Sequence, residues 1–190
     1  MGDITLDSHQ VNTLPSLASK VKAGLKIQNP NCIAYDILFG CPGWVEGIIQ
    51  AKAFIKADMA IKCLVIGADT LSRVLDQSDR DSMKYSDGAG AAMVEKINES
   101  GGILSNKTVT YTSNGEAEFI FYGPANDKPK GTKYIKMFGR KVYEFALSKV
   151  PLALQSCLEA SGESINNVKK IFIHQANQKM DDAIIKRFYR

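Results

Sequence analysis

A chain of 190 residues with 45% hydrophobic and 23% charged side chains is long enough to bury a sizeable core and too apolar to be disordered or fibrous. Its net charge of +4 comes from acidic and basic residues scattered along the whole sequence, which falls short of the concentrated basic face of a nucleic-acid-binding protein. No apolar run approaches the roughly 20 residues of a membrane span, no signal peptide is visible, and the four cysteines include no C-x-x-C pair, so a membrane protein, a zinc site and a disulfide framework are all unsupported. The expectation is a soluble protein of the reducing cytoplasm, with no nucleic-acid or membrane partner.

From Pro15 to Leu25 apolar residues recur at helical spacing (Leu17, Val21, Leu25), and the cluster Gln28-Asn29-Pro30-Asn31 stops that helix. Cys32 to Phe39 is nearly continuously apolar with one Asp and reads as a buried strand ending at Gly40. A helix then starts at Pro42, with Ile48, Ile49, Ala53 and Phe54 on one face. Lys62–Ala68 and Gly88–Val94 read as two further buried strands, and this alternation implies an α/β layer with helices against a sheet.

The polar, glycine-bearing stretch Glu95–Asn106 is the best internal boundary, dividing the chain at about residue 98 into parts 1–98 and 99–190. Beyond it, Thr108–Tyr122 has strand-like composition, Met137–Ala160 is a long helical pattern interrupted by Pro151, and Val168–Ile173 reads as a strand leading into His174. A last helix runs from about Asn177 to Arg190. The second part thus repeats the first in outline, a buried strand followed by a polar residue and a helix, and the chain is expected to be truncated at both ends.

Cys41 follows the first strand and precedes a proline-started helix, where the unpaired N–H groups and the positive end of the helix dipole favour a thiolate. Gly40 and Gly43 beside it allow a tight turn and close approach by a substrate. The competing reading is a small buried hydrophobe, the usual fate of a cysteine and the better reading of Cys32, Cys63 and Cys157. His174, at a strand end and followed by Gln175-Ala176-Asn177, stands where polar groups project into a cleft; a satisfied structural histidine is the alternative. Its only competitor is His9 in a polar terminal stretch, so any Cys–His pair must use His174. Ser86-Asp87-Gly88-Ala89-Gly90-Ala91 completes neither phosphate-loop pattern and reads better as small residues at a close backbone approach.

Four segments, FGCPGWVEGIIQA, VIGADTLSRVLDQSDRDSMKYSDGAGAAM, MFGRKVYEFAL and IFIHQANQKM, resemble in order and spacing the signatures of ketoacyl-ACP synthase III. The resemblance covers essentially the whole chain. It implies part of a thiolase-like α-β-α-β-α sandwich, the end of a first half and the start of a second, forming a homodimer. It implies an acyltransferase in which Cys41 takes an acyl group from acyl-CoA and condenses it with malonyl-ACP by decarboxylation to give 3-ketoacyl-ACP, the first step of fatty acid synthesis. His174 would stabilise charge on the malonyl thioester, and no metal or redox cofactor is needed.

By the same resemblance Arg80 matches a position contacting CoA, while Gly139 and Asn177 match positions lining the pantetheine tunnel. The helix after HQAN would dock acyl carrier protein through Gln175, Ala176, Asn177, Gln178, Lys179, Lys186 and Arg187, with Lys179, Lys186 and Arg187 at i, i+7 and i+8. Two departures stand out. Pro42 and Trp44 occupy places usually held by Ala or Ser and by Phe, which leaves the acyl pocket and the primer open. The third catalytic residue, an Asn expected beyond residue 190, has no counterpart, so this form is expected to be inactive alone. The alternatives are a polyketide-type synthase or thiolase of the same fold, and a non-catalytic partner subunit.

Overall fold

The computed structural model describes residues 3–5, 10–12, 14–97, 101–127 and 130–190. They fall into two units, Met1–Glu95 with Pro124–Tyr134, and Lys96–Gly123 with Ile135–Arg190. His9 and the expected boundary at 98/99 lie outside the described residues.

In the first unit, strands β1 (Asp3–Thr5) and β2 (Gln10–Asn12) pair antiparallel. Helix α1 (Leu17–Gly24) follows, and its start is doubly capped: the Ser16 hydroxyl accepts the Ser19 N–H at 3.1 Å, and the Asp36 carboxylate accepts those of Leu17 and Ala18 at 2.8 Å each. That use of Asp36 accounts for the single acid in the apolar run 32–39. The run itself forms no strand: among the described residues it has no ladder partner, and Ile33 is 83% exposed. An apolar run signals a tendency to be covered and does not by itself supply the neighbour.

Helix α2 (Gly43–Lys56) begins one residue later than expected, with Pro42 as its N-cap, and buries Gly47, Ala51 and Ile55. It lies on the antiparallel pair β3 (Lys62–Thr70) and β4 (Asp87–Glu95), whose register runs from Lys62↔Glu95 to Thr70↔Asp87. Neither strand is buried on both faces as expected; β3 alternates exposed with half-buried residues, the period-two pattern of a strand covered on one side only. Contact between helix and sheet is close enough that a Cβ on Gly47 would stand 2.7 Å from the Val65 side chain, and one on Gly67 3.2 Å from Trp44. Trp44 over residue 67 and Gly47 over residue 65 mean that α2 runs antiparallel to β3. Its start therefore points toward the end of the sheet where Thr70 faces Asp87.

The connection between β3 and β4 makes two short 3-10 turns, Leu71–Val74 and Arg80–Lys84. It is anchored by Asp76, which is 3% exposed and accepts the N–H groups of Ser78 at 3.0 Å and Asn126 at 2.8 Å. Gly88 and Gly90 have open space where a Cβ would stand, so the glycine-rich strand is not a close backbone approach. The close approach is made by Gly67, directly opposite Gly90.

Strand β5 (Ile120–Pro124) pairs with β6 (Lys133–Met137), and only this last part of the strand-like stretch from Thr108 forms a strand. Helix α3 (Gly139–Ser161) carries buried Pro151 within it and ends on Gly162, whose φ of 73° is the left-handed conformation favoured after a helix end. The rings of Tyr111 and Phe119 meet Phe145 edge to face at 5.6 and 6.3 Å, fixing the preceding segment to α3. Helix α4 (Gln178–Phe188) packs on α3 through Leu147, Met180 and Ile184, with Val150, Leu154, Ile173 and Ala176 around them. The segment 168–173 forms no strand: Val168, Ile171 and Ile173 are half-buried, Lys169, Lys170 and Phe172 are exposed, and among the described residues none supplies a ladder.

Candidate active site

The first unit brings together Cys41, Trp44, Tyr85 and the glycine pair. Cys41 is a free, exposed cysteine in the turn Gly40–Gly43, where the Gly43 N–H donates to the Gly40 carbonyl at 2.8 Å and closes the loop. The other three cysteines are free and half-buried, and burial pushes the Cys63 thiol above its ordinary range. Exposure thus separates Cys41 from the rest, and it overturns the reading of Cys41 as a buried hydrophobe.

At the start of α2 the Gly43 N–H is taken by Gly40, and the Glu46 N–H donates to the Pro42 carbonyl at 3.0 Å, closing the first helical turn. Trp44 and Val45 therefore carry the N–H groups of the first turn that lie outside the intrahelical ladder. Trp44 lays its ring against Gly67. With Gly67, Gly90 and Ala91 it lines an open, largely apolar pocket of about 410 Å³, one turn along the helix from Cys41.

Tyr85 leads into β4 two residues before Asp87, at the sheet end toward which the α2 start points. Its hydroxyl oxygen is buried and has no hydrogen-bond partner among the described residues. Burial first, then negative charge at Cys41, Asp81 and Asp79, raises its ionisation above the ordinary phenol range. The phenol stays a neutral donor within electrostatic reach of the Cys41 sulfur. Reading the sequence missed Tyr85; its position just upstream of a glycine-rich strand was the available signal.

Arg80, in the same unit, is exposed and opens the 3-10 turn Arg80–Lys84, where the Asp79 carboxylate accepts the Asp81 N–H at 2.9 Å. The remaining site residues belong to the second unit. His174 is exposed between half-buried Ile173 and Ala176, which pack against the α3–α4 core, and its carbonyl accepts the Ala176 N–H at 3.1 Å. An exposed imidazole between two anchored neighbours is free to meet a ligand, unlike a satisfied core histidine.

Asn177 caps α4, its Oδ1 accepting the Met180 N–H at 2.9 Å, and Gly139 is the first residue of α3. Gln175, Gln178, Lys179, Lys186 and Arg187 are exposed and Ala176 is half-buried. Arg187 turns back to donate to the Ala183 carbonyl at 3.2 Å, the way a basic side chain satisfies a helix C-terminus. Among the described residues no group of three or more His, Cys, Asp or Glu side chains could hold a metal, and no helix is long and apolar enough to cross a membrane.

The family described as 3-Oxoacyl-[acyl-carrier-protein (ACP)] synthase III matches residues 35–112, which span the Cys41 turn, α2, β3, Tyr85 and β4. Over 180 residues the chain is 32% identical to Beta-ketoacyl-[acyl-carrier-protein] synthase III of Erythrobacter litoralis, covering 93% of this chain and 55% of the relative. It is 35% identical over 182 residues to the protein of the same name from Porphyra umbilicalis, covering 90% and 54%. The crystal structure of the Thermus thermophilus protein superposes with a TM-score of 0.81 at 31% identity, over 93% of this chain and 55% of that one. The chain thus spans about half the length of the curated relatives it matches. The fold is the corresponding part of a thiolase-like α/β fold. Sequence and fold agree: residues 35–112 match the 3-Oxoacyl-[acyl-carrier-protein (ACP)] synthase III family, and nearly the whole chain is similar to about half of each such relative.

Proposed function

We propose that the protein to which this chain belongs is a condensing acyltransferase that loads an acyl group from acyl-CoA onto Cys41 and condenses it with malonyl-ACP. The observation that carries this reading is the placement of Cys41: the one exposed cysteine, in a glycine-flanked turn, at the start of a 14-residue helix lying on β3 and β4. In the first half-reaction the Cys41 sulfur attacks the thioester carbon, the carbonyl electron pair moves to oxygen, and CoA leaves as the thiol. The N–H groups of Trp44 and Val45 are the donors that can meet the oxyanion.

In the second half-reaction malonyl-ACP loses CO2, and His174 stabilises the negative charge that develops on its thioester oxygen. The carbanion attacks the acyl carbon, and the product leaves Cys41 as 3-ketoacyl-ACP. Atoms and charge balance without electron transfer, so this reading calls for no metal or redox cofactor. Arg80 and Gly139 are assigned to CoA and pantetheine, and Asn177 to the same tunnel through the α4 start it caps. A homodimer in the cytoplasm completes the proposal.

Incubation of the protein with an acyl-CoA followed by peptide mass mapping tests it, with the acyl group expected on Cys41 alone. Equal labelling of Cys63 or Cys157, or none on Cys41, removes the reading.

A further inference from the structure

Tyr85 stands out from the other polar side chains of the first unit. The direction of α2 over β3 carries the Cys41 turn to the end of the sheet where Thr70 faces Asp87, and the chain enters β4 at that same end through Tyr85. Its hydroxyl oxygen is shielded from solvent and has no partner among the described residues. A buried hydroxyl without an acceptor is unfavourable, and a catalytic role is one of the few explanations for such a group in a native fold.

No hydrogen bond joins this hydroxyl to the Cys41 sulfur in the free protein. An acyl group on the sulfur brings a carbonyl oxygen to this end of the sheet, the kind of acceptor that the hydroxyl lacks. We propose that the Tyr85 hydroxyl is a catalytic hydrogen-bond donor to the thioester oxygen while Cys41 is being acylated.

The inference rests on the acyl-transfer reading of Cys41. The step is Cys–SH plus acyl–S–CoA giving Cys–S–acyl plus CoA–SH. As the sulfur–carbon bond forms, the carbonyl electron pair collects on oxygen, and the Tyr85 O–H and the α2 N–H groups hold it. The pair then returns and expels the CoA sulfur, which keeps the thiol proton. Tyr85 is protonated before and after. Its resistance to ionisation suits this role, because a phenolate could not donate.

The test compares two reactions of Cys41 in the complete condensing enzyme, acylation by an acyl-CoA and alkylation by iodoacetamide, which passes through no oxyanion. Tyr85→Phe keeps the ring and is expected to slow acylation at least about tenfold. Alkylation at the same pH should change by less than about twofold, which also reports that the turn is intact. Unchanged acylation in the variant overturns the proposal. An equal fall in both rates also overturns it, because Tyr85 then shapes the turn or the thiol itself. A wild-type protein that is alkylated at Cys41 but never acylated there removes the acyl-transfer reading, and this inference with it. Acylation of the wild type with an unaffected variant removes only the role of Tyr85.

Discussion

Asp87 opens β4 opposite Thr70, and its carboxylate accepts both the hydroxyl and the N–H of Ser72, at 2.5 and 2.8 Å. The Ser72 hydroxyl, then its N–H, and then the charge of Arg73 hold this carboxyl below the usual carboxylate range. A carboxyl depressed in the folded state contributes stability above its unfolded pKa and loses it as pH falls through the folded value. An NMR titration of the Asp87 carboxyl should therefore show a midpoint below the ordinary range, and Ser72→Ala should move it upward. A midpoint that stays put in the variant would mean that the contact does not hold in solution. Residues of this kind show where reading the sequence succeeds and fails. Cys41 was legible because a glycine-flanked turn before a helix is a local feature, whereas Tyr85 depends on register, which places it beside a turn more than 40 positions earlier.

Among the elements, those whose signals lie within themselves formed as expected: α1 behind Ser16, α2 after Pro42, β3 and β4 with their turns, α3 up to Gly162, and α4 behind Asn177. The runs 32–39 and 168–173 did not become strands, since a strand needs a neighbour that no local pattern provides. On α4 the buried side is set by Met180 and Ile184, and Lys179 and Lys186 share an exposed face, separated by about 20° at roughly 100° per residue. Arg187 is partly committed to the helix end through Ala183. Lys179→Glu with Lys186→Glu is therefore the cleaner test of carrier-protein docking. In the proposed condensing reaction this pair should raise the apparent KM for malonyl-ACP by about tenfold, more at low salt, and leave acylation of Cys41 by acyl-CoA within about twofold. A parallel fall in both half-reactions would show α4 to be structural, and no change in either would show a merely solvated face.

Over the whole molecule, the described apolar side chains are far from fully covered. Phe172 is 93% exposed, Leu38, Ile61 and Met83 are similarly open, and no large side chain is completely buried. Apolar surface on this scale favours association. The 190-residue chain on its own is expected to bind a hydrophobic dye and to show a mass that rises with concentration in light scattering. A monodisperse monomer that leaves the dye dark would show that the exposed side chains find cover within the chain.

The two facing glycines of β3 and β4 differ in what they permit. At Gly67 an added methyl carbon would stand 3.2 Å from the Trp44 Cβ and 3.3 Å from its indole, so Trp44 would have to give by a few tenths of an ångström to admit even the smallest side chain. At Gly90, directly across the ladder, the space is empty and the backbone lies in a conformation that any residue can adopt. A reporter group grafted at residue 90 would thus sit in the pocket that Trp44 lines without disturbing the layer beneath it. The same group one strand away would become a wedge.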